Sequence, residues 1–111
     1  MINKLSYKDV EIDFKKGTVT TLNGGKSSLD DCDNREIVVV IEGNIDYHQR
    51  RIEYLNERLS VKEETIIPFK GGYKIREPLT EGARKKFEVS VKEHTDEIKE
   101  LNKLLNKYSN G

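Results

Sequence analysis

The sequence predicts an α+β fold: a small N-terminal antiparallel β-sheet of about three strands, followed by two C-terminal α-helices, the last one long and amphipathic. Near the N-terminus, apolar and polar residues alternate with a period of two, whereas apolar residues in the second half recur every three or four positions. A chain of 111 residues is the size of one domain. We therefore expect a single domain over 1–111, with the sheet in 1–43 and the helices in 44–108.

The N-terminal part contains three segments that predict strands. In residues 8–14, KDVEIDF, apolar side chains alternate with acidic ones, which is typical of a strand with one solvated face. Residues 18–22 are rich in β-branched side chains and predict the returning strand of a hairpin. Residues 23–34 are polar and predict a loop. The five consecutive apolar residues 37–41 then predict a central strand that is covered on both faces.

Two helices are predicted after this strand. Asn44 is a good N-cap for the first helix, which should end near Glu64. Thr80, which follows Pro78, is a good N-cap for the second. The apolar positions of the second helix are spaced by four and three residues in turn, as in heptad repeats. These positions are Phe87, Val91, His94, Ile98, Leu101, Leu105 and Tyr108.

The difference in predicted length between the helices suggests an oligomer. The second helix should run for about 28 residues, and the first should be about a third shorter. In a helical hairpin, Leu101, Leu105 and Tyr108 would then lie beyond the first helix and face water. A second subunit would cover them, so we expect a homodimer or a higher oligomer through the long C-terminal helix. The alternative is that these side chains pack on the sheet of their own chain.

Composition excludes several classes of protein. The 20 basic and 20 acidic residues balance, which argues against a general nucleic-acid-binding protein. The single cysteine, Cys32, provides neither a disulfide framework nor a cysteine-based zinc site, and is typical of a reduced intracellular protein. No apolar run approaches the roughly 18 residues of a membrane span, and none at the N-terminus resembles a signal peptide. We expect a cytoplasmic protein without membrane association, in the host cytoplasm if a phage encodes it.

The sequence contains no catalytic or metal-binding motif. Cys32 has no histidine nearby in sequence, and no serine-centred elbow is present, so we expect no enzymatic activity. Residues 23–28, NGGKSS, lack the earlier glycine of a phosphate-binding loop, since position 20 is threonine. The acidic residues 30–33 lack the remainder of a calcium-binding loop and predict a solvated turn.

The two histidines also predict no metal or cofactor. His48 and His94 lie on apolar helical faces, and neither has a second ligand four residues away. In a helical hairpin they should be offset by about one turn, with His48 nearer Ile98 and His94 nearer Ile52. In a parallel dimer, His94 could instead meet its own copy and make association pH-sensitive.

The segment FKGGYKIREPLTEGARKK, residues 69–86, is the main candidate for function because it has six basic residues and only two acidic ones. Its glycine pair would allow backbone amides to approach an anion, its aromatic residues could stack on a base, and its arginines could bind phosphates. One arginine lies at the start of the second helix, where anions are favoured. With two arginines of the first helix, the proposed ligand-binding set is Arg50, Arg51, Phe69, Gly71, Gly72, Tyr73, Arg76 and Arg84.

A structural role for the same segment is the alternative interpretation. Its basic side chains would then form ion pairs with glutamates of the first helix and the following loop. The glutamates within reach are Glu53, Glu57, Glu63 and Glu64. In that case the segment would only connect the two helices.

The order of the elements resembles a known family. The stretch REIVVVIEG leads into NIDYHQRRIEYLNERLS and then into a long C-terminal helix. This layout is similar to that of the Thoeris anti-defence proteins of phages. The resemblance covers most of the chain in architecture. It implies an N-terminal antiparallel sheet with two C-terminal helices, an oligomer without enzymatic activity, and pockets between subunits that sequester cyclic ADP-ribose-type and related cyclic nucleotide signals.

The leading hypothesis is therefore a non-enzymatic protein that sequesters a small phosphorylated, cyclic nucleotide as a phage counter-defence sponge. Arg76 and Arg84 would hold phosphates, and Phe69 or Tyr73 would stack on a base. The alternative is a protein–protein inhibitor or adaptor, similar to anti-CRISPR proteins, that acts through its charged helical surface. A third hypothesis is a phage structural or assembly component that forms rings or chains.

Overall fold

The computed structural model describes residues 2–109 and has the α+β fold that the sequence predicts. Four strands are followed by two long helices, and a β-hairpin lies between the helices. The strands of the first sheet are β1 (Lys4–Tyr7), β2 (Val10–Asp13), β3 (Thr18–Thr21) and β4 (Lys26–Ser28). A single 3-10 turn, Leu29–Asp31, precedes α1 (Asn34–Ser60), the hairpin strands β5 (Thr65–Phe69) and β6 (Gly72–Arg76), and α2 (Glu81–Ser109).

The N-terminal sheet is antiparallel, in the order β1-β2-β3-β4. It has four strands where about three were expected, because β1 and β4 flank the predicted hairpin. β4 and the 3-10 turn also occupy part of the stretch predicted as a loop. Leu5, Ile12 and Val19 lie opposite one another across three strands, and all three are buried. This row forms the face of the sheet that packs on the helices.

The tight turn between β2 and β3 is built around Asp13. Its carboxylate accepts a hydrogen bond from the Lys16 backbone N–H at 2.9 Å, and its backbone carbonyl accepts one from Gly17 at 2.8 Å. Gly17 has a φ of 68°, a conformation that glycine adopts without steric cost. The bond from Lys16 lowers the pKa of Asp13, because it stabilises the charged carboxylate.

Residues 37–41 are helical, so the prediction of a central strand is wrong. They lie in the first and second turns of α1, which begins ten residues before the predicted N-cap. The Asp33 carboxylate caps the helix by accepting the Arg35 N–H at 2.9 Å. Ile37, Val40 and Ile41 are buried. A β-branched run favours a strand by local propensity, but here packing of one helical face on the sheet outweighs that preference.

Asn44 lies inside α1 and is not its N-cap. Its side-chain amide donates hydrogen bonds to the backbone carbonyl of Ser6 at 3.1 Å and to that of Val40 at 2.9 Å. These bonds tie β1 to the helix. The adjacent Gly43 is closely covered by Tyr7, since a Cβ atom at Gly43 would lie 2.2 Å from Cδ1 of the tyrosine ring. The helix ends at Ser60, four residues before the predicted end.

The C-terminal turns of α2 pack within their own chain, which corrects the expectation that they face water. The two helices have 27 and 29 residues, so α1 is not a third shorter. Leu101 is fully buried in the core, and Leu105 and Tyr108 pack against it. The Tyr108 ring lies 6.0 Å from the Phe14 ring of the sheet region. The observation from which a dimer through α2 was predicted is therefore absent.

His48 and His94 meet directly and are not offset by a turn. Their Nδ1 atoms are 2.7 Å apart, and the Tyr47 ring lies edge-on to His48 at 5.1 Å. Burial lowers the pKa of His48, and the neighbouring His94 ring lowers it further, while Glu97 opposes the shift. Within its own chain, His94 therefore has His48 as its partner.

The segment that connects the helices forms a two-stranded antiparallel hairpin. Its register pairs Thr65 with Arg76 and Phe69 with Gly72. Thr80 caps α2 as predicted, since its hydroxyl accepts the Ala83 N–H at 3.2 Å. Within residues 2–109, no helix is both long enough and apolar enough to cross a membrane.

Candidate functional site

A cleft of about 390 Å³ lies between α1 and the second strand of the hairpin. It brings part of the basic segment together with a basic and aromatic stripe of the helix. Its lining residues are Tyr54, Arg58, Lys74, Ile75, Arg76 and Glu77. Tyr54 and Arg58 are one turn apart on α1, and the Tyr54 side chain is partly exposed. We refer to these six residues as the hairpin cleft.

The two arginines that were predicted to bind phosphate, Arg76 and Arg84, already interact with groups of α1. Arg76 forms an ion pair through Nη1 with Glu57 of α1, as the structural interpretation of the segment predicted. Arg84 donates from Nη2 to the backbone carbonyl of Leu59 at 3.0 Å. That carbonyl belongs to the last turn of α1, where helical carbonyls lack partners within the helix. Both arginines thus fasten the hairpin and the start of α2 to the end of α1.

The cleft also contains one carboxylate, Glu77, and two cations that belong to no ion pair of residues 2–109, Arg58 and Lys74. In the part of the chain that the structure describes, neither Arg58 nor Lys74 forms an ion pair with a carboxylate. The Lys74 ammonium lies 5.9 Å from the centre of the Phe69 ring. Arg58 and Lys74 can therefore accept an anion without first breaking an ion pair, unlike Arg76.

The two arginines predicted from α1 have different surroundings. Arg51 stacks on the Tyr54 ring, with its guanidinium carbon 5.3 Å from the ring centre, and so borders the hairpin cleft. Arg50 forms an ion pair with Asp46 at 3.0 Å. It lines a second depression, of about 530 Å³, beside β1. Arg51 therefore contacts a lining residue of the hairpin cleft without lining it, and Arg50 lies at a different depression.

The aromatic and glycine residues of the hairpin are divided between its faces and its turn. In an antiparallel pair, opposite residues share a face and the next pair points the other way. Phe69 pairs with Gly72 and Tyr73 with Pro68, so the two aromatic rings lie on opposite faces. Gly71 has a φ of 80° in the two-residue turn. Gly71 therefore forms the turn together with Lys70, Gly72 begins β6, and the aromatic residues do not form one stacking site.

The predicted ligand-binding set omitted Tyr54, Arg58 and Lys74. The spacing of Arg51, Tyr54 and Arg58 by three and four residues places them on one helical face, and this signal was present in the sequence. The sequence does not show what that helical face packs against, because this depends on where the hairpin folds back against α1. Ile75 was also missed. Residues 73–76 are too few to show from the sequence which side chains of a strand are exposed.

The acidic turn before α1 has a structural role. Asp33 caps the helix, and the Ser28 hydroxyl accepts the Asp30 N–H at 3.3 Å. Acidic side chains are also favoured at a helix N-terminus by the helix dipole. Over residues 2–109, no group of three or more histidine, cysteine, aspartate or glutamate side chains is arranged to hold a metal ion.

A third depression, of about 360 Å³, lies between the sheet and the start of α1. Its lining is mainly apolar, and Cys32 contributes to it with its Sγ atom 3.8 Å from the Ser27 hydroxyl. Among the described residues, its lining has one basic side chain, Lys8, and one acidic side chain, Glu36, in place of a cationic cluster. Its chemistry does not favour a phosphorylated ligand.

Comparison with protein-family models, with curated proteins and with solved structures finds no match for this chain.

Proposed function

We propose that this chain is a binding protein without turnover that captures a small phosphorylated nucleotide, of the cyclic kind, in the hairpin cleft. The observation that carries the proposal is the meeting of an aromatic face, Tyr54, with two cations that form no ion pair within residues 2–109, Arg58 and Lys74. The base would stack on Tyr54, and Arg58 and Lys74 would bind the phosphate. Arg76 would contribute the guanidinium N–H groups that its bond to Glu57 leaves free.

The size and openness of the cleft support this ligand class. Small-molecule sites in proteins are typically ~300 to ~1,000 Å³, and the cleft is at the lower end of that range. Stacking of a base on an aromatic ring contributes about 1–3 kcal/mol, and a guanidinium can bind a phosphate through two parallel hydrogen bonds. A mononucleotide-sized ligand can use both contacts at once.

We also propose that the cleft binds its ligand without catalysing a reaction. Over the described chain, neither histidine lies in the cleft, since each contacts the other on the facing helices. Cys32 lies before α1, at the opposite end of that helix from the cleft. The cleft therefore has binding groups without a nucleophile and base in hydrogen-bond reach of each other.

The resemblance to the Thoeris anti-defence proteins supports a sequestering role and rests on the order of the elements. The sheet followed by two helices agrees with that layout. The helical conformation of REIVVVIEG and the hairpin between the helices depart from it. A phage counter-defence role is accordingly part of the proposal, as is a cytoplasmic site of action.

Isothermal titration calorimetry with cyclic mononucleotides, cyclic dinucleotides and cyclic ADP-ribose tests the proposal. We expect heat with at least one of these, and binding that weakens as salt rises, because the phosphate is held by exposed cations. Arg58→Ala and Lys74→Ala should each weaken binding about tenfold, and Tyr54→Ala should weaken it by a similar factor.

Arg35→Ala is the matched control for Arg58→Ala. It removes an exposed arginine of the same helix at the end far from the cleft, and binding should not change. Absence of heat with every ligand, or equal binding by Arg58→Ala and the unmodified protein, would refute the proposal. Ligand that co-purifies and absorbs near 260 nm after denaturation would support it independently.

The second candidate function is a protein–protein inhibitor or adaptor that acts through the charged helical surface. Its specific support is that Tyr47 and Val89 are exposed on the two helices among charged residues. Aromatic and aliphatic side chains within a polar rim are typical of interfaces. A pull-down from a host lysate distinguishes the two functions, since an inhibitor retains one large protein in stoichiometric amount after small molecules have been dialysed away.

A further inference from the structure

One face of the β5–β6 hairpin is entirely apolar and exposed. The register pairs Ile66 with Ile75 and Pro68 with Tyr73, so these four side chains point to the same side of the two strands. Ile66 is 67% exposed, Tyr73 79% and Ile75 56%. Pro68 is exposed as well. We call these four residues the hairpin face.

The opposite side of the hairpin already has its partner. Ile67 and Arg76 are half-buried there, and Arg76 reaches Glu57 of α1. A two-stranded hairpin on its own is at best marginally stable in water, and it needs a packed apolar face or further strands. The hairpin face is where such packing is missing in the isolated chain.

Charge along the hairpin changes sign from one end to the other. The turn end is positive because it carries Lys70, whereas Lys74 lies in the middle of β6, opposite Ile67, and points to the other side of the strands. The base carries one lysine and three glutamates, all exposed: Lys62, Glu63, Glu64 and Glu77. The two ends thus have net charges of opposite sign, separated by the length of a five-residue strand, roughly 17 Å.

We infer that the hairpin face docks on the same face of a second copy of this chain, with the two hairpins antiparallel about a twofold axis. A twofold interface brings one patch against itself, so an apolar face that is free of charge suits it. The antiparallel arrangement places the positive turn of each copy over the negative base of the other. A parallel arrangement would bring like charges together.

The edges of the hairpin are less suited to association than its face. Pro68 has no backbone N–H, so a strand that paired along the edge of β5 would find no hydrogen-bond donor at that position.

The hairpin face is small compared with the ~800 Å² per partner of a standard interface. The dimer is accordingly weak, with dissociation at micromolar to millimolar concentration, and it differs from the dimer through α2 that the helix lengths had suggested.

Sedimentation velocity over a micromolar to millimolar concentration series, without added nucleotide, tests the inference. The double variant Ile66→Thr/Ile75→Thr keeps β-branched residues at exposed positions and should raise the dimer dissociation constant at least about tenfold. Leu22→Thr, at another exposed apolar residue, is the matched control and should leave it unchanged. Circular dichroism confirms that each variant keeps its fold.

Charge exchange tests the direction of the pairing. Lys70→Glu and Glu64→Lys should each weaken the dimer several-fold at low salt, and the double exchange should restore it, because the two positions face each other across the axis. A protein that stays monomeric over the whole concentration series overturns the inference. The partner of the hairpin face would then be a different protein. A dimer that the Ile66→Thr/Ile75→Thr variant forms equally well also overturns it. None of these measurements involves the nucleotide, so failure here and failure of the cleft are separate results.

Discussion

Gly43→Ala probes the closest approach between the sheet and α1. Alanine is favoured over glycine inside a helix by about 1 kcal/mol, so helix propensity alone predicts stabilisation. The Tyr7 ring prevents this gain. A Cβ at position 43 would lie 2.2, 2.3 and 2.7 Å from three atoms of that ring, whereas carbon atoms in contact are ~3.5–4.0 Å apart.

The expected magnitude follows from what must move. The ring has to shift by about 1 Å, and the neighbouring Ser6 carbonyl is held by Asn44 at 3.1 Å, so β1 cannot move without weakening that hydrogen bond. Overpacking of this kind costs about 1–3 kcal/mol. After subtraction of the helix propensity of about 1 kcal/mol, we expect Gly43→Ala to destabilise the fold by about 0–2 kcal/mol, which lowers Tm by up to roughly 10 °C for a domain of this size.

Thermal and urea unfolding followed by circular dichroism measures this effect. Gly82→Ala is the matched control, because position 82 is also a helical glycine but a Cβ atom there would have no other atom within 4 Å. It should be neutral or slightly stabilising. In a Tyr7→Ala background the obstacle is gone, so adding Gly43→Ala should then raise stability, and the double-mutant cycle isolates the contact. A Tm that rises for Gly43→Ala alone would refute the reasoning.

Two further predictions concern the packing of α1 against α2. Burial and the adjacent His94 ring hold the pKa of His48 in the folded protein below its ordinary value near 6.5. The free energy of unfolding therefore has its full contribution from neutral His48 above pH 6.5, and it loses that contribution as pH falls through the folded pKa. Urea unfolding between about pH 7.5 and about pH 5.5 should therefore show falling stability, and His48→Gln should flatten the profile, whereas an unchanged slope would contradict the role of the pair. Leu101→Ala should cost about 2–5 kcal/mol because Leu101 is fully buried in the core of its own chain, and a loss below about 1 kcal/mol would show that the end of α2 does not pack there.

Periodicity predicted the second helix well because its signal is long and local. The alternating spacing of four and three residues placed Leu101 and its neighbours on one face, and that face is the one that packs. Thr80 was identified as the cap from its position after a proline, and its hydroxyl does accept a backbone N–H. These are properties of a few consecutive residues, so they can be read without knowledge of the rest of the fold.

The run IVVVI was misassigned because five apolar residues have no readable period. Such a run fits a strand that is covered on both faces as well as a helical turn with one buried side. Only the position of the sheet decides between them: it buries Ile37, Val40 and Ile41 and leaves Val39 54% exposed. The error moved the start of α1 by ten residues, and the shorter helix then suggested an unpaired end of α2.

The candidate site was likewise predictable from the sequence only in part. The excess of positive charge in residues 69–86 was evident from the sequence, and so was the spacing of Arg51, Tyr54 and Arg58. Which cations remain available could not be predicted, because Arg76 and Arg84 find partners on α1 that lie 19 and 25 residues away in sequence. The pairing of those two arginines leaves Arg58 and Lys74 as the cleft's available cations.

The sequence alone determined the fold class, the strands of the first hairpin, the heptad face of α2 and the basic character of the segment between the helices. Each of these depends on neighbouring residues or on helical and strand periods. The tertiary structure decided the conformation of the IVVVI run, the direct contact of His48 with His94, the partners of each arginine and the exposure of the hairpin face. These depend on contacts between residues distant in sequence, whose free energies exceed the small local preferences that a sequence pattern reports.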